Sequence, residues 1–123
     1  MEDMLPYFAS ILEQDPAPVV ICNMSDDIIY MNPAAIENYS DDGGEILIGR
    51  CILDCHPPAA AKGITRVVEW FAKSKENNLV HTMHSDRRDV YMIALRDTDG
   101  NLIGYYEKHE YRTPDLSPLY AMR

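Results

Sequence analysis

The stretch Asp27-Ile28-Ile29-Tyr30-Met31-Asn32-Pro33-Ala34-Ala35-Ile36 constrains the fold more than any other part of the chain. A short apolar run leads straight into Asn-Pro and then into small residues suited to a helical turn. Pro33 has its φ already set for a first helical position, and the Asn32 side-chain oxygen can cap the helix it opens. Upstream, Val19-Val20-Ile21-Cys22-Asn23-Met24 is rich in β-branched residues and reads as a strand. With Ser25-Asp26 as the turn, it pairs with Asp27–Met31 as an antiparallel hairpin.

Residues 3–14 read as a short amphipathic helix, with Met4, Leu5, Phe8, Ile11 and Leu12 at helical spacing. Asp15-Pro16-Ala17-Pro18 ends it, since each proline disfavours helical geometry in the residue before it. After the Asn32-Pro33 cap, a short helix runs to about Tyr39, and Ser40-Asp41-Asp42-Gly43-Gly44 is a loop by composition. The longest helix is expected over Ala59 to Ser74. There Ile64, Val67, Val68 and Phe71 fall at i, i+3, i+4 and i+7, a single apolar stripe.

Three strands follow, at Leu79–Ser85, Asp89–Arg96 and Asn101–Tyr111. The turn Asp86-Arg87-Arg88 separates the first two, and the hairpin loop Asp97-Thr98-Asp99-Gly100 the last two. The tail from Arg112 reads as extended, with Leu116, Leu119 and Tyr120 available to fold back. Helices and strands grouped in this way indicate an α+β domain with an antiparallel sheet. On Asp89–Arg96, Val90, Met92 and Ala94 face one way and Tyr91, Ile93 and Leu95 the other. Both faces are apolar, so both call for cover: the long helix on the inner one, and the N-terminal helix or a second subunit on the outer one.

At 123 residues the chain fits one domain, which buries roughly two-thirds of its unfolded surface. No apolar run approaches the roughly 20 residues of a membrane-spanning helix, and the acidic start Met1-Glu2-Asp3-Met4 argues against export. A cytoplasmic protein is expected, with no membrane partner. The net charge of −9 and the scattered basic residues argue against direct nucleic-acid binding.

Three cysteines, an odd number, argue against a disulfide framework. Cys51-Ile52-Leu53-Asp54-Cys55-His56 is one residue longer than a haem-attachment motif. A zinc site there would need further ligands from His81, His84 or His109, and no second compact pair exists. The cysteines are therefore read as buried thiols and no metal is assigned. Cys55-His56 is the only adjacent cysteine–histidine pair, and no third member accompanies it, so no enzyme is expected.

The Asn32-Pro33-Ala34-Ala35 junction resembles the "yvNpA" signature of PAS sensor domains. Ile48-Gly49-Arg50, His56-Pro57 and the run Leu95-Arg96-Asp97-Thr98-Asp99-Gly100-Asn101-Leu102-Ile103-Gly104 resemble further PAS motifs, in the same order and at matching spacing. The resemblance extends from about Glu13 to Arg112. It divides the chain into an N-terminal amphipathic helix (1–14), a PAS domain (15–112) and a C-terminal tail (113–123). It implies a five-stranded antiparallel sheet in the order 2-1-5-4-3 with helices on one face. The His56-Pro57-Pro58 form resembles a subset of PAS domains in bacterial regulators.

A cavity between the long helix and the last three strands is also implied, holding haem, flavin, an organic acid or nothing. Its candidate residues are His56, Val67, Phe71, His81, Met83 and Met92. Met83 and Met92 could line a plastic apolar pocket, although filling the core is the simpler role for them. Haem-binding relatives usually take their axial histidine from the long helix, and residues 59–76 contain none. His81 and His56 are then the remaining haem candidates. His81 and His84, three apart on a strand, should face opposite sides, so at most one looks into the cavity. The flavin photoreceptor motif Asn-Cys-Arg-Phe-Leu-Gln is absent. The resemblance implies a non-catalytic sensory module that binds a small ligand or a partner protein. It further implies a homodimer through the N-terminal helix and outer sheet face, and a separate output protein. The alternatives are a ligand-free dimerisation or interaction module and a haem-binding sensor.

Overall fold

The computed structural model describes residues 2–123. Helix α1 (Leu5–Gln14) precedes a hairpin of β1 (Val19–Asn23) and β2 (Ile28–Met31), then α2 (Pro33–Asn38). Three short 3-10 turns, Ser40–Asp42, Gly44–Leu47 and Ile52–Cys55, lead to α3 (Pro58–Lys73). Strands β3 (Leu79–His84), β4 (Arg88–Arg96) and β5 (Leu102–Tyr111) complete the chain. Every expected helix and strand is present, with ends moved by one or two residues. The strands form one antiparallel sheet in the order β2-β1-β5-β4-β3. This is the PAS fold.

Asn32 explains why the chain turns where it does. Its Oδ1 accepts from Ala35 N, capping α2, and from Val19 N at the start of β1, both at 2.9 Å. Its Nδ2 donates to the carbonyls of Ala17 at 2.9 Å and Leu12 at 3.0 Å. One fully buried amide therefore joins the end of α1, the entry to β1 and the first turn of α2. The Ile48-Gly49-Arg50 segment has an equally local task. Gly49 N donates to Ile28 O at 2.7 Å and Ile28 N to Arg50 O at 2.9 Å, so it covers the free edge of β2. Gly49 sits at φ +92°, a conformation side-chain-bearing residues resist.

The core lies on the inner sheet face, where Val20, Cys22, Ile28, Met31, Met92 and Tyr105 meet Ala35, Leu47, Ile52 and Phe71. Arg96 fastens the far end of α3 to this layer. Its Nη2 donates to the carbonyls of Phe71 at 2.7 Å, Ser74 at 3.0 Å and Asn77 at 3.1 Å. These include carbonyls left open at the helix end, and the cation also suits the negative end of the helix dipole.

Two expectations change. The tail from residue 113 does not fold back: Leu116, Leu119 and Tyr120 are almost fully exposed. Nor does α1 close the outer sheet face within one chain, since it buries none of its residues and Tyr91, Ile93 and Leu95 stay half-buried. Among the described residues, no helix is long and apolar enough to cross a membrane.

Candidate functional site

Helix α3 stands off the sheet along most of its length. Of its apolar stripe only Phe71, near the C-terminal end, is buried, while Ile64, Val67 and Val68 are half-buried. The gap is a cavity of about 880 Å³ between α3, the turn before it and strands β1, β3, β4 and β5. Its apolar wall includes Ile64 and Val67 from the helix and Val80, Val90 and Met92 from the sheet. That volume falls in the range of pockets that hold small organic ligands.

One end of the cavity is polar. Tyr39, from the turn after α2, and Glu107 and His109, from β5, all line it. The Tyr39 hydroxyl donates to Glu107 Oε1, and the same oxygen is bonded by His109 Nε2. Burial pushes the Glu107 carboxyl up, but the hydrogen bonds from His109 and Tyr39 outweigh it and hold the group below the usual range. Glu107 is therefore a carboxylate at neutral pH. Burial, then the Glu107 charge and hydrogen bond, raise the Tyr39 hydroxyl well above its ordinary value, so it stays protonated. His109 is buried, and its Nδ1 has no hydrogen-bond partner. With Nε2 bonded to Glu107, Nδ1 is the ring atom left without a hydrogen-bonding partner beside the cavity.

Of the six candidates, His56, Val67, Met83 and Met92 border the cavity, Met83 at its exposed rim. His56 is held from within its own turn, Nδ1 lying 2.8 Å from Ile52 O. Phe71 is not on the wall; it is fully buried in the core below it, because α3 meets the sheet there. His81 borders the cavity only from its position on β3. Its ring stacks on Tyr91 with centroids 5.0 Å apart, and Tyr91 alternates with Val90 and Met92 onto the other face. His81 thus gives no axial ligand to a group in the cavity.

The expected opposition of His81 and His84 also fails. A bulge between His81 and Met83 shifts the register, from His81↔Tyr91 to His84↔Asp89, and both rings come to one side. Of the cysteines, Cys22 is buried, and burial pushes its thiol up to about 12. Cys55 is exposed rather than buried; its thiol reaches Cys51 O at 3.5 Å while His56 is bonded to Ile52 O, so the two are not arranged as nucleophile and base.

Sequence reasoning did not place Tyr39, Glu107 or His109 in the cavity. Parity on β5 could have found two of them. Tyr105, Glu107 and His109 are spaced by two, so they share the inner face with a large aromatic side chain.

Comparison with known proteins agrees with this fold. A family model described as the PAS fold matches residues 12–108. No curated protein matches the chain in sequence. Among solved structures, a C-terminal domain from Streptococcus mutans superposes with a TM-score of 0.71 at 21% identity, covering 87% of this chain and 84% of that one. The PAS domain of a protein from Colwellia psychrerythraea gives 0.65 at 16% identity, over 89% and 97%. VqmA bound to DPO gives 0.63 at 18% identity, over 86% of this chain and 57% of that one. The matched span takes in α3 and the sheet up to residue 108 within β5, and the chain belongs to the PAS-fold family.

Proposed function

We propose that this domain is a sensory module that holds a small, largely apolar ligand between α3 and the sheet, without catalysing its conversion. The carrying observation is the pairing of an apolar cavity of about 880 Å³ with one polar end at which His109 Nδ1 is buried and unpartnered. Buried polar atoms normally find a partner, so an unpartnered ring nitrogen beside a cavity is a natural anchor for a polar group of a ligand. The fitting chemistry is a compact heteroaromatic or amphipathic molecule with one polar group. VqmA, a structural neighbour, is solved with DPO bound, which makes a ligand-responsive role a reasonable analogy.

Native mass spectrometry of freshly purified protein, with an absorbance scan of the same sample, tests the reading. A bound mass that is weakened about tenfold or more by Glu107→Gln supports it. Protein that carries no ligand, and gains no thermal stability from a library of small heteroaromatics and amphiphiles, overturns it.

A second reading concerns assembly. Leu5, Phe8 and Ile11 of α1 are 70%, 55% and 66% exposed, and the outer sheet face is uncovered. Apolar patches of this kind favour association. The domain is read as a homodimer formed through α1 and the outer face, passing its ligand state to a separate output protein in the cytoplasm. Light scattering across a concentration series should show a dimer that Phe8→Asp dissociates. A wild-type monomer at every concentration would sink this interface.

A further inference from the structure

The bulge in β3 builds a second polar group, on the sheet face turned away from the cavity. Thr82 is the extra residue between the His81↔Tyr91 and Met83↔Val90 pairs. His81 and His84 consequently join Asp89 on one side of the sheet. His81 Nε2 lies 2.8 Å and His84 Nδ1 2.7 Å from the same atom, Asp89 Oδ1. One ligand atom from each residue lies within 4.8 Å of the others. Tyr91 supports the His81 ring by stacking, and the two imidazoles meet edge to face at 5.9 Å.

Arg112, just past the end of β5, closes the group. Its Nη2 lies 2.7 Å from Asp89 Oδ1 and 2.6 Å from His84 Nδ1, and its Nε donates to Asp89 Oδ2 at 3.1 Å. Its Nη1 donates to Ser85 O. His84 Nδ1 therefore faces a carboxylate oxygen and a guanidinium N–H together. As an acceptor it turns a lone pair toward the carboxylate; as a donor it turns a proton toward a cation. One ring nitrogen cannot serve both. A cation that accepts lone pairs from all three residues would remove the conflict.

We propose that His81 Nε2, His84 Nδ1 and an Asp89 carboxylate oxygen form a site for one divalent transition-metal ion of the zinc class, which binds in exchange for Arg112. Two imidazoles with one carboxylate suit zinc, nickel, cobalt or copper, whereas calcium and magnesium require mainly oxygen ligands. Tetrahedral zinc with bonds near 2.0–2.1 Å places its donors about 3.3 Å apart, so each histidine nitrogen needs to draw back from the Asp89 oxygen by only about half an ångström. The side chains of His81 and His84 are 47% and 66% exposed, which gives the ion its entry path and a water its place in the fourth position.

The exchange has a structural consequence. Arg112 N donates to Arg87 O at 2.9 Å, and beyond Arg112 the tail is exposed to its end. The guanidinium that holds the start of the tail is the group the ion displaces, so metal binding loosens the tail at its root. None of this depends on a ligand in the cavity, which lies on the opposite face.

Calorimetric titration of the full chain with Zn²⁺ near pH 7 tests the site. One equivalent should bind, His84→Ala should weaken it about tenfold or more, and Cys55→Ser should leave it unchanged. Arg112→Gln, which keeps all three ligands and removes the competing cation, should bind more tightly than wild type. Absence of binding, indifference to His84→Ala, or loss in Cys55→Ser overturns the proposal. Circular dichroism checks that each variant is folded. Should His84→Ala fail to fold, Arg112→Gln decides alone: tighter binding supports the site, and unchanged or weaker binding refutes it.

Discussion

Asn32 alone holds α1, the entry to β1 and the first turn of α2 together. Asn32→Ala removes the α2 cap and strands the Val19 N–H with two buried carbonyls, so it should destabilise by about 3 kcal/mol in denaturant melts. Asn32→Asp keeps the accepting oxygen but turns a second oxygen toward the Ala17 and Leu12 carbonyls; it should recover little of that loss. Gly104 is fixed for a different reason: a Cβ there would overlap the Cys22 carbonyl oxygen across the β1–β5 pairing. Glu107 makes a prediction in pH. Its carboxyl is held below the ordinary 4.5 in the folded state. The stability it supplies is complete above that value and is lost as pH falls through the lower folded value. Thermal melts of Glu107→Gln should therefore lie below wild type near pH 7 and converge with it in acid. A gap that persists or grows in acid would contradict the assignment.

The elements show what can and cannot be read from periodicity. Apolar stripes, β-branched runs, turn residues and the Asn32-Pro33 cap placed every helix and strand, because all are local signals that tertiary contacts reinforce here. The Leu95-Arg96-Asp97 motif was visible, but its purpose was not, since Arg96 acts on carbonyls of α3 some twenty residues earlier. Arg96→Met should leave the sheet intact and fray the last turn of α3, with a loss of about 2 kcal/mol and faster amide exchange at residues 70–74. Unchanged exchange there would remove Arg96 from that role. Strand parity misled in β3, where one extra residue reverses every side chain after it. Nothing in the letters His81-Thr82-Met83-His84 announces a bulge. The polar end of the cavity was hidden for a related reason: Tyr39 comes from a turn that no period describes.

For the molecule as a whole, the two sheet faces have separate tasks. The inner face carries the core and the cavity. The outer face carries half-buried aromatics, with the histidine–aspartate group at its β3 edge. His84→Ala tests their independence: it should lower Zn²⁺ affinity while retention of a cavity ligand is kept, and loss of both together would show that the faces are coupled.

The separation of α3 from the sheet has a practical consequence. On the proposed function, a ligand in the cavity adds to the packing of the half-buried α3 stripe. Occupancy is then readable in the melting temperature, without knowledge of the signal or the partner. A ligand present at a hundredfold excess over its dissociation constant adds about 2.7 kcal/mol to folding. On the proposed function, the melting temperature itself reports whether the cavity is filled.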